Sequence, residues 1–121
     1  MSIKLPDLPD LPEPIENYFR HSENEAIEEA VATFTPEATL FDQGEDTKAV
    51  GREAIQDWMT DYLSKYKTTL EVVGMVEEGG EVVVTTLVSG NFNSSPAEFV
   101  YRFVLRDGLI DRLVIEFVGF K

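Results

Sequence analysis

Asp42 closes the stretch EATLFDQ, residues 37–43, in which Ala38 and Leu40 alternate with Thr39 and Phe41. That period of two belongs to a strand with one buried face, and Asp42 continues the Ala38/Leu40 row. A carboxylate there has one of two meanings. It has reached water and opens the Gln43-Gly44 loop as a turn residue, or it stands at the rim of an apolar space. In the second case desolvation raises its pKa and suits it to take a proton near neutral pH. Other chemistries are poorly supplied. With one histidine and no cysteine, thiolate nucleophiles, thiolate metal sites and disulfides are excluded. The carboxylates show no calcium-loop spacing. Glu78-Gly79-Gly80 is a hairpin turn rather than a phosphate cradle. Neither a metal nor a cofactor is expected.

The 121 residues predict one domain, long enough to bury a real core. Ten basic residues against 23 acidic ones give a formal charge of −13, which repels phosphate backbones and anionic bilayers, so nucleic acid and membrane are not expected partners. No stretch approaches the roughly 18 apolar residues of a membrane span. The opening MSIKLPDLPDLP lacks the apolar core of a signal peptide. Together with the absence of cysteine, this predicts a cytoplasmic protein.

The elements that must position Asp42 follow from pattern. Residues 4–14, KLPDLPDLPEP, repeat Leu-Pro-acid and favour extended polyproline II. Residues 1–11 are therefore expected to form a proline-rich arm, and residues 12–121 a single domain. A first helix begins near Pro12 to Pro14 with Ile15, Tyr18 and Phe19 on one face. Ser22 and Glu25 have capping-box spacing. They predict a second helix bearing Ile27, Ala30, Val31 and Phe34, stopped by Pro36. After a strand over 37–42 and a polar loop, QGEDTK, a third helix carries Ile55, Trp58, Met59, Tyr62, Leu63 and Tyr66 on its apolar face.

The second half alternates like a meander of four antiparallel strands, 69–77, 81–92, 98–106 and 109–118, with turns at Glu78–Gly80, Asn93–Pro96 and Asp107-Gly108 and a bend or bulge at Gly90. Tyr101 and Phe103 share one row, Leu113, Ile115 and Phe117 another; Arg102 and Arg112 fall in the opposite rows. Segregated helices and strands predict an α+β fold: a curved mixed or antiparallel sheet wrapped round the long third helix as a cone, in the manner of a cystatin-like α+β barrel. Val73, Val83, Val100, Val104 and Val114 make the other face apolar too. A second copy of the chain is the simplest cover, so a homodimer through the outer sheet face is expected.

Three stretches give this order a family likeness: IENYFRHSENEAIEEAVATFTPEATLFD, GREAIQDWM and YRFVLRDGLIDRLVIEFVGF. The chain resembles the nuclear transport factor 2-like superfamily over residues 12–119, in its ketosteroid isomerase and SnoaL-like polyketide cyclase branch. The first stretch matches the isomerase pattern without a gap. The resemblance puts Tyr18 at the position of an oxyanion donor and Asp42, 24 residues on, at that of the general base; Trp58 falls on a pocket aromatic. The isomerases carry a second donor, a protonated aspartic acid. Tyr101 stands there, longer but still a neutral donor at pH 7.

The resemblance implies a cone with one pocket, walled by Phe34, Leu40, Trp58, Tyr62, Phe103, Leu113, Ile115 and Phe117. It implies a small apolar carbonyl-bearing ligand and cofactor-independent isomerisation, cyclisation or dehydration by Asp42, Tyr18 and Tyr101. Because this fold also hosts inert domains, the alternative is a non-catalytic ligand-binding or protein-interaction module.

Overall fold

A computed structural model describes residues 3–4, 11–91 and 96–120. In chain order the elements are β1 (Ile3–Lys4), α1 (Glu13–Glu23), α2 (Ile27–Val31), β2 (Phe34–Asp42), β3 (Thr47–Val50), α3 (Arg52–Lys65), β4 (Thr68–Glu78), β5 (Glu81–Gly90), β6 (Ala97–Arg106) and β7 (Leu109–Phe120). The strands form one sheet in the order β1-β4-β5-β6-β7-β2-β3. It is mixed: β1 runs parallel to β4 and β2 parallel to β7, while all other neighbours are antiparallel. Register shifts at Val72/Gly74 in β4, and at Glu98/Phe99 and Val104/Leu105 in β6, add the local twist that bulges impose. The result is the expected α+β cone, but not a barrel. The sheet stays open between its edges, the two-residue β1 and the four-residue β3.

Four sequence expectations need correcting. Ser22 does not start a helix. It lies inside α1, which ends in a Schellman motif: the amide of Ala26 donates to the His21 carbonyl and that of Glu25 to the Ser22 carbonyl. Glu25 takes the left-handed conformation there, φ 58°, where glycine is usual. Next, the second helix is only five residues long, and Phe34 belongs to β2. The Thr33 hydroxyl donates to the Ala30 carbonyl at 2.6 Å, and the Thr33 carbonyl accepts from the Ile110 amide at 2.8 Å. Strand β7 thus captures residues whose spacing alone reads as helix. Pro36 sits inside β2 at the irregular register between Phe34 and Thr39, where a missing N–H is tolerated. Finally, the loop after Asp42 contains β3, paired with β2 from Thr39↔Val50 to Asp42↔Thr47. Gly90 ends β5; a Cβ there would collide with the Lys67 carbonyl. The Asn93–Pro96 turn lies largely outside the described residues, as does most of the proline-rich arm.

Two ties set α3 against β2. Gly51 precedes the helix at φ 89°, a conformation open to glycine, and its amide donates to the Ala38 carbonyl at 2.7 Å. Arg52 donates from Nε (3.0 Å) and a terminal nitrogen (2.6 Å) to the Phe34 carbonyl. Helices α1 and α3 then bury Ile15, Phe19, Ile55 and Met59 with the sheet's inner face in one core.

Candidate active site

Strand register assigns depth on the inner face. One rung runs Leu40–Leu113–Phe103–Val82 across β2, β7, β6 and β5. All four side chains are buried in the core. Two residues further along each strand, the next rung runs Asp42–Ile115–Tyr101–Val84. Asp42 and Tyr101 therefore point to the same face with one strand between them, their Cα atoms roughly 10 Å apart at the usual strand spacing. Beyond Tyr101 and Ile115, Phe99 pairs with Phe117 across β6 and β7.

Above the second rung lies a cavity of about 550 Å³, in the range of small-molecule sites. Asp42, Tyr101, Ile115, Phe99 and Phe117 line it from the sheet, Tyr18, Phe19, Ser22 and Glu23 from α1, and Trp58, Met59, Tyr62 and Leu63 from α3. Gln43, Gly44, Glu45, Tyr66, Thr68, Leu70 and Val88 complete the wall. No Lys, Arg or His is among these residues.

Asp42 is only 4% exposed. Its Oδ2 accepts a hydrogen bond from Trp58 Nε1 at 3.0 Å. Burial raises its pKa above the ordinary carboxylate value; the Trp58 indole and the backbone amides of Glu45 and Gly44 pull the other way without cancelling it. The site thus holds a carboxylate that is more basic than one in water.

The Tyr18 ring is packed edge-on against Phe19, Phe34 and Phe103 at 5.3, 5.7 and 6.0 Å between centroids, the favoured aromatic geometry. Burial pushes its phenol well above the ordinary range, with the nearby Tyr62 and Asp42 acting in the same direction. Ser22, one turn on, stands beside that phenol, outside good hydrogen-bond geometry. Burial likewise pushes Tyr101 well up, and its hydroxyl has no hydrogen-bond partner among the described residues. Tyr62 is pushed up to about 12, chiefly by burial. The phenols stay protonated at physiological pH and can act as donors. At the mouth Glu45 accepts from Lys65 Nζ at 2.8 Å and from the Tyr66 hydroxyl at 2.9 Å, which hold its pKa down.

Of the residues singled out by sequence, Asp42, Tyr18, Tyr101, Trp58, Tyr62, Ile115 and Phe117 line this cavity. Phe34, Leu40, Phe103 and Leu113 do not. Each is fully buried in the core, and Phe34 and Phe103 support the Tyr18 ring from below. Sequence reasoning missed Phe99, two residues before Tyr101, and Ser22, four after Tyr18. It also missed Tyr66, which extends the Trp58–Tyr62 stack at 5.0 Å. Period-two and i, i+4 spacing carried each of these signals. The acidic residues Glu23 and Glu45 had none.

Comparison with known proteins follows this geometry. No curated protein matches the chain. Among solved structures, a candidate polyketide cyclase from Sinorhizobium meliloti is 30% identical, with a TM-score of 0.82 over 88% of this chain and 96% of that one. A candidate ketosteroid isomerase from Kribbella flavida shares the fold at 16% identity, TM-score 0.75, over 91% and 78% of the two chains. So does TerC, co-crystallised with polyporic acid, at 18% identity, TM-score 0.77, over 88% and 89%. The model of the SnoaL-like domain matches residues 15–113, from the first buried residue of α1 to the middle of β7, and the chain belongs to the SnoaL-like family.

Proposed function

We propose that the cavity binds a small, mostly apolar, neutral molecule bearing a carbonyl, and that the chain acts on it as a cofactor-independent isomerase, cyclase or dehydratase. The observation that carries this is the convergence of a desolvated carboxylate, Asp42, and two buried phenols, Tyr18 and Tyr101, on one cavity. Asp42 takes the proton from the carbon next to the carbonyl. The released electron pair forms the enolate, whose oxygen accepts hydrogen bonds from Tyr18 and Tyr101. The enolate then takes the proton back from Asp42 at another carbon; or its carbon attacks a carbonyl within the same molecule, whose oxygen takes the Asp42 proton as its C=O bond becomes C–O; or it expels a hydroxyl group, which leaves as water with the Asp42 proton. The described wall, without Lys, Arg or His, offers no counter-charge to an anionic substrate, which favours a neutral one. The polyporic acid held by TerC supports a small organic ligand.

The test is a panel of hydrophobic ketones, phenols and steroids titrated against the emission of Trp58, the only tryptophan, followed by turnover assays on the binders. Binding with turnover lost in Asp42→Asn is expected. Binding without turnover leaves a ligand-binding module. No binding, and no molecule co-purifying by mass spectrometry, overturns the pocket reading.

The second part of the proposal is a homodimer through the outer sheet face. Val76, Val83, Arg102, Val114 and Phe41 form one cross-strand row there, with Val73 and Val76 half exposed. Arg102 is held by Glu116 and Glu81 within that row's surroundings. A clean monomer by light scattering at micromolar concentration overturns it.

A further inference from the structure

Trp58 does more than wall the cavity. It arises from α3, sixteen residues after Asp42, and its indole N–H is aimed at a carboxylate that is almost wholly removed from water. The indole has one polar atom and can only donate. A buried carboxylate without a donor would lose much of its tendency to ionise.

The placement is fixed from both sides. The Trp58 ring is packed on Tyr62 at 5.6 Å between centroids, and the start of α3 is tied to β2 through Gly51 and Arg52. Asp42 is the last residue of β2, and the next residue, Gln43, is bonded to β7 through its amide (2.9 Å to the Ile115 carbonyl) and its Oε1 (3.1 Å from the Phe117 amide). Donor and acceptor therefore sit on separately anchored elements.

We infer that Trp58 is a positioning residue: its indole N–H fixes the plane of the Asp42 carboxyl and sets the pH at which that group takes a proton. This rests on the reading of Asp42 as the base and deepens it. The hydrogen bond occupies one acceptor site of Oδ2, so the remaining lone pairs point in fixed directions and the carboxyl does not rotate freely. It also sustains the anion against its surroundings. Among the described residues, every ionisable group that lines the cavity with Asp42 is anionic or becomes so on ionisation: Tyr18 and Glu23 on α1, Tyr62 on α3, Tyr66 just after it, Tyr101 on β6 and Glu45 in the loop that follows Asp42. No Lys, Arg or His among the described residues lines the cavity to share the task. Lys65, beside Glu45, is bound to Glu45 and Asp61.

The experiment needs no substrate. Carbon-13 carboxyl NMR follows Asp42, assigned by its loss in Asp42→Asn, while proton–nitrogen NMR follows the single indole N–H. In the wild type the indole signal is expected to move with the same midpoint as the Asp42 carboxyl, and to stop moving in Asp42→Asn. In Trp58→Phe, which keeps an aromatic ring but loses the N–H, the Asp42 midpoint is expected to rise by about one to two pH units, the worth of a hydrogen bond to a charged group. A folded Trp58→Phe with an unshifted midpoint overturns the inference. Should that variant fail to fold, an indole signal indifferent to Asp42 titration in the wild type overturns it equally. Coupled titration in a chain that turns over no substrate supports the clamp and instead counts against the catalytic reading, so the two failures are told apart.

Discussion

Two neighbouring rungs of the same sheet face do opposite things. Leu40, Leu113, Phe103 and Val82 make a sealed apolar floor; Asp42, Ile115, Tyr101 and Val84, one repeat further along the same strands, carry a carboxylate and a phenol. The separation is about 7 Å along each strand. Both rungs are buried, and both have the same inward orientation. What differs is what lies above them: helix side chains interdigitate over the first, while over the second α1 and α3 leave a cavity. A polar group is tolerable on the second rung because the cavity, the indole and loop amides give it neighbours; on the first it would have none.

The largest expected effect comes from damaging the floor. Phe103→Ala should cost about 3–5 kcal/mol of stability, measured by chemical denaturation, because it removes a fully buried ring that also supports Tyr18. Asp42→Asn on the second rung should do the reverse of this. Activity should fall at least about 100-fold, while the melting temperature at pH 7 stays level or rises.

The sign follows from linkage. The Asp42 pKa is raised in the folded state, so the native chain binds that proton more tightly than the unfolded chain. Stability therefore declines as pH rises from the ordinary carboxylate range through the raised value, and the penalty persists above it. Asn removes the penalty. The same raised pKa predicts that activity climbs with pH through a midpoint above the ordinary carboxylate value, since only the anion accepts a proton; a pH–rate profile checks this.

Tyr18→Phe removes one donor and should cost about 10²- to 10³-fold in kcat, with little change in folding because the packed ring remains. The smallest effect is expected at Tyr101→Phe, less than that of Tyr18→Phe in the same assay. Tyr101 is the position where the resemblance to ketosteroid isomerases leads one to expect a carboxylic acid instead. Equal losses at the two positions would make both rims of the cavity donors of the same standing.

The sequence made the rungs visible without ranking them. Alternation put Phe103, Leu113 and Leu40 on the same face as Tyr101, Ile115 and Asp42, and all six were expected round the pocket. Period two specifies a face. It carries no information on how far along the strand the helices stop covering it. Likewise the i, i+3, i+4, i+7 spacing from Ile27 to Phe34 fitted a helix, and only the capture of Thr33 by β7 turned Phe34 into strand. The four residues of β3 lack any apolar alternation of their own, and become a strand only because β2 offers an edge.

By itself the sequence determined the α+β order, the inward rows, the absence of thiol chemistry and, through its likeness to known isomerases, the expectation that Tyr18 and Asp42 share one cavity, which both line. These depend on local period, composition and spacing along one chain. Tertiary structure decided what those cannot encode: that the sheet stays open, that the cavity begins one rung above Phe103, and that the Trp58 indole donates to Asp42. Each of these is a meeting of elements distant in sequence, fixed by register and packing.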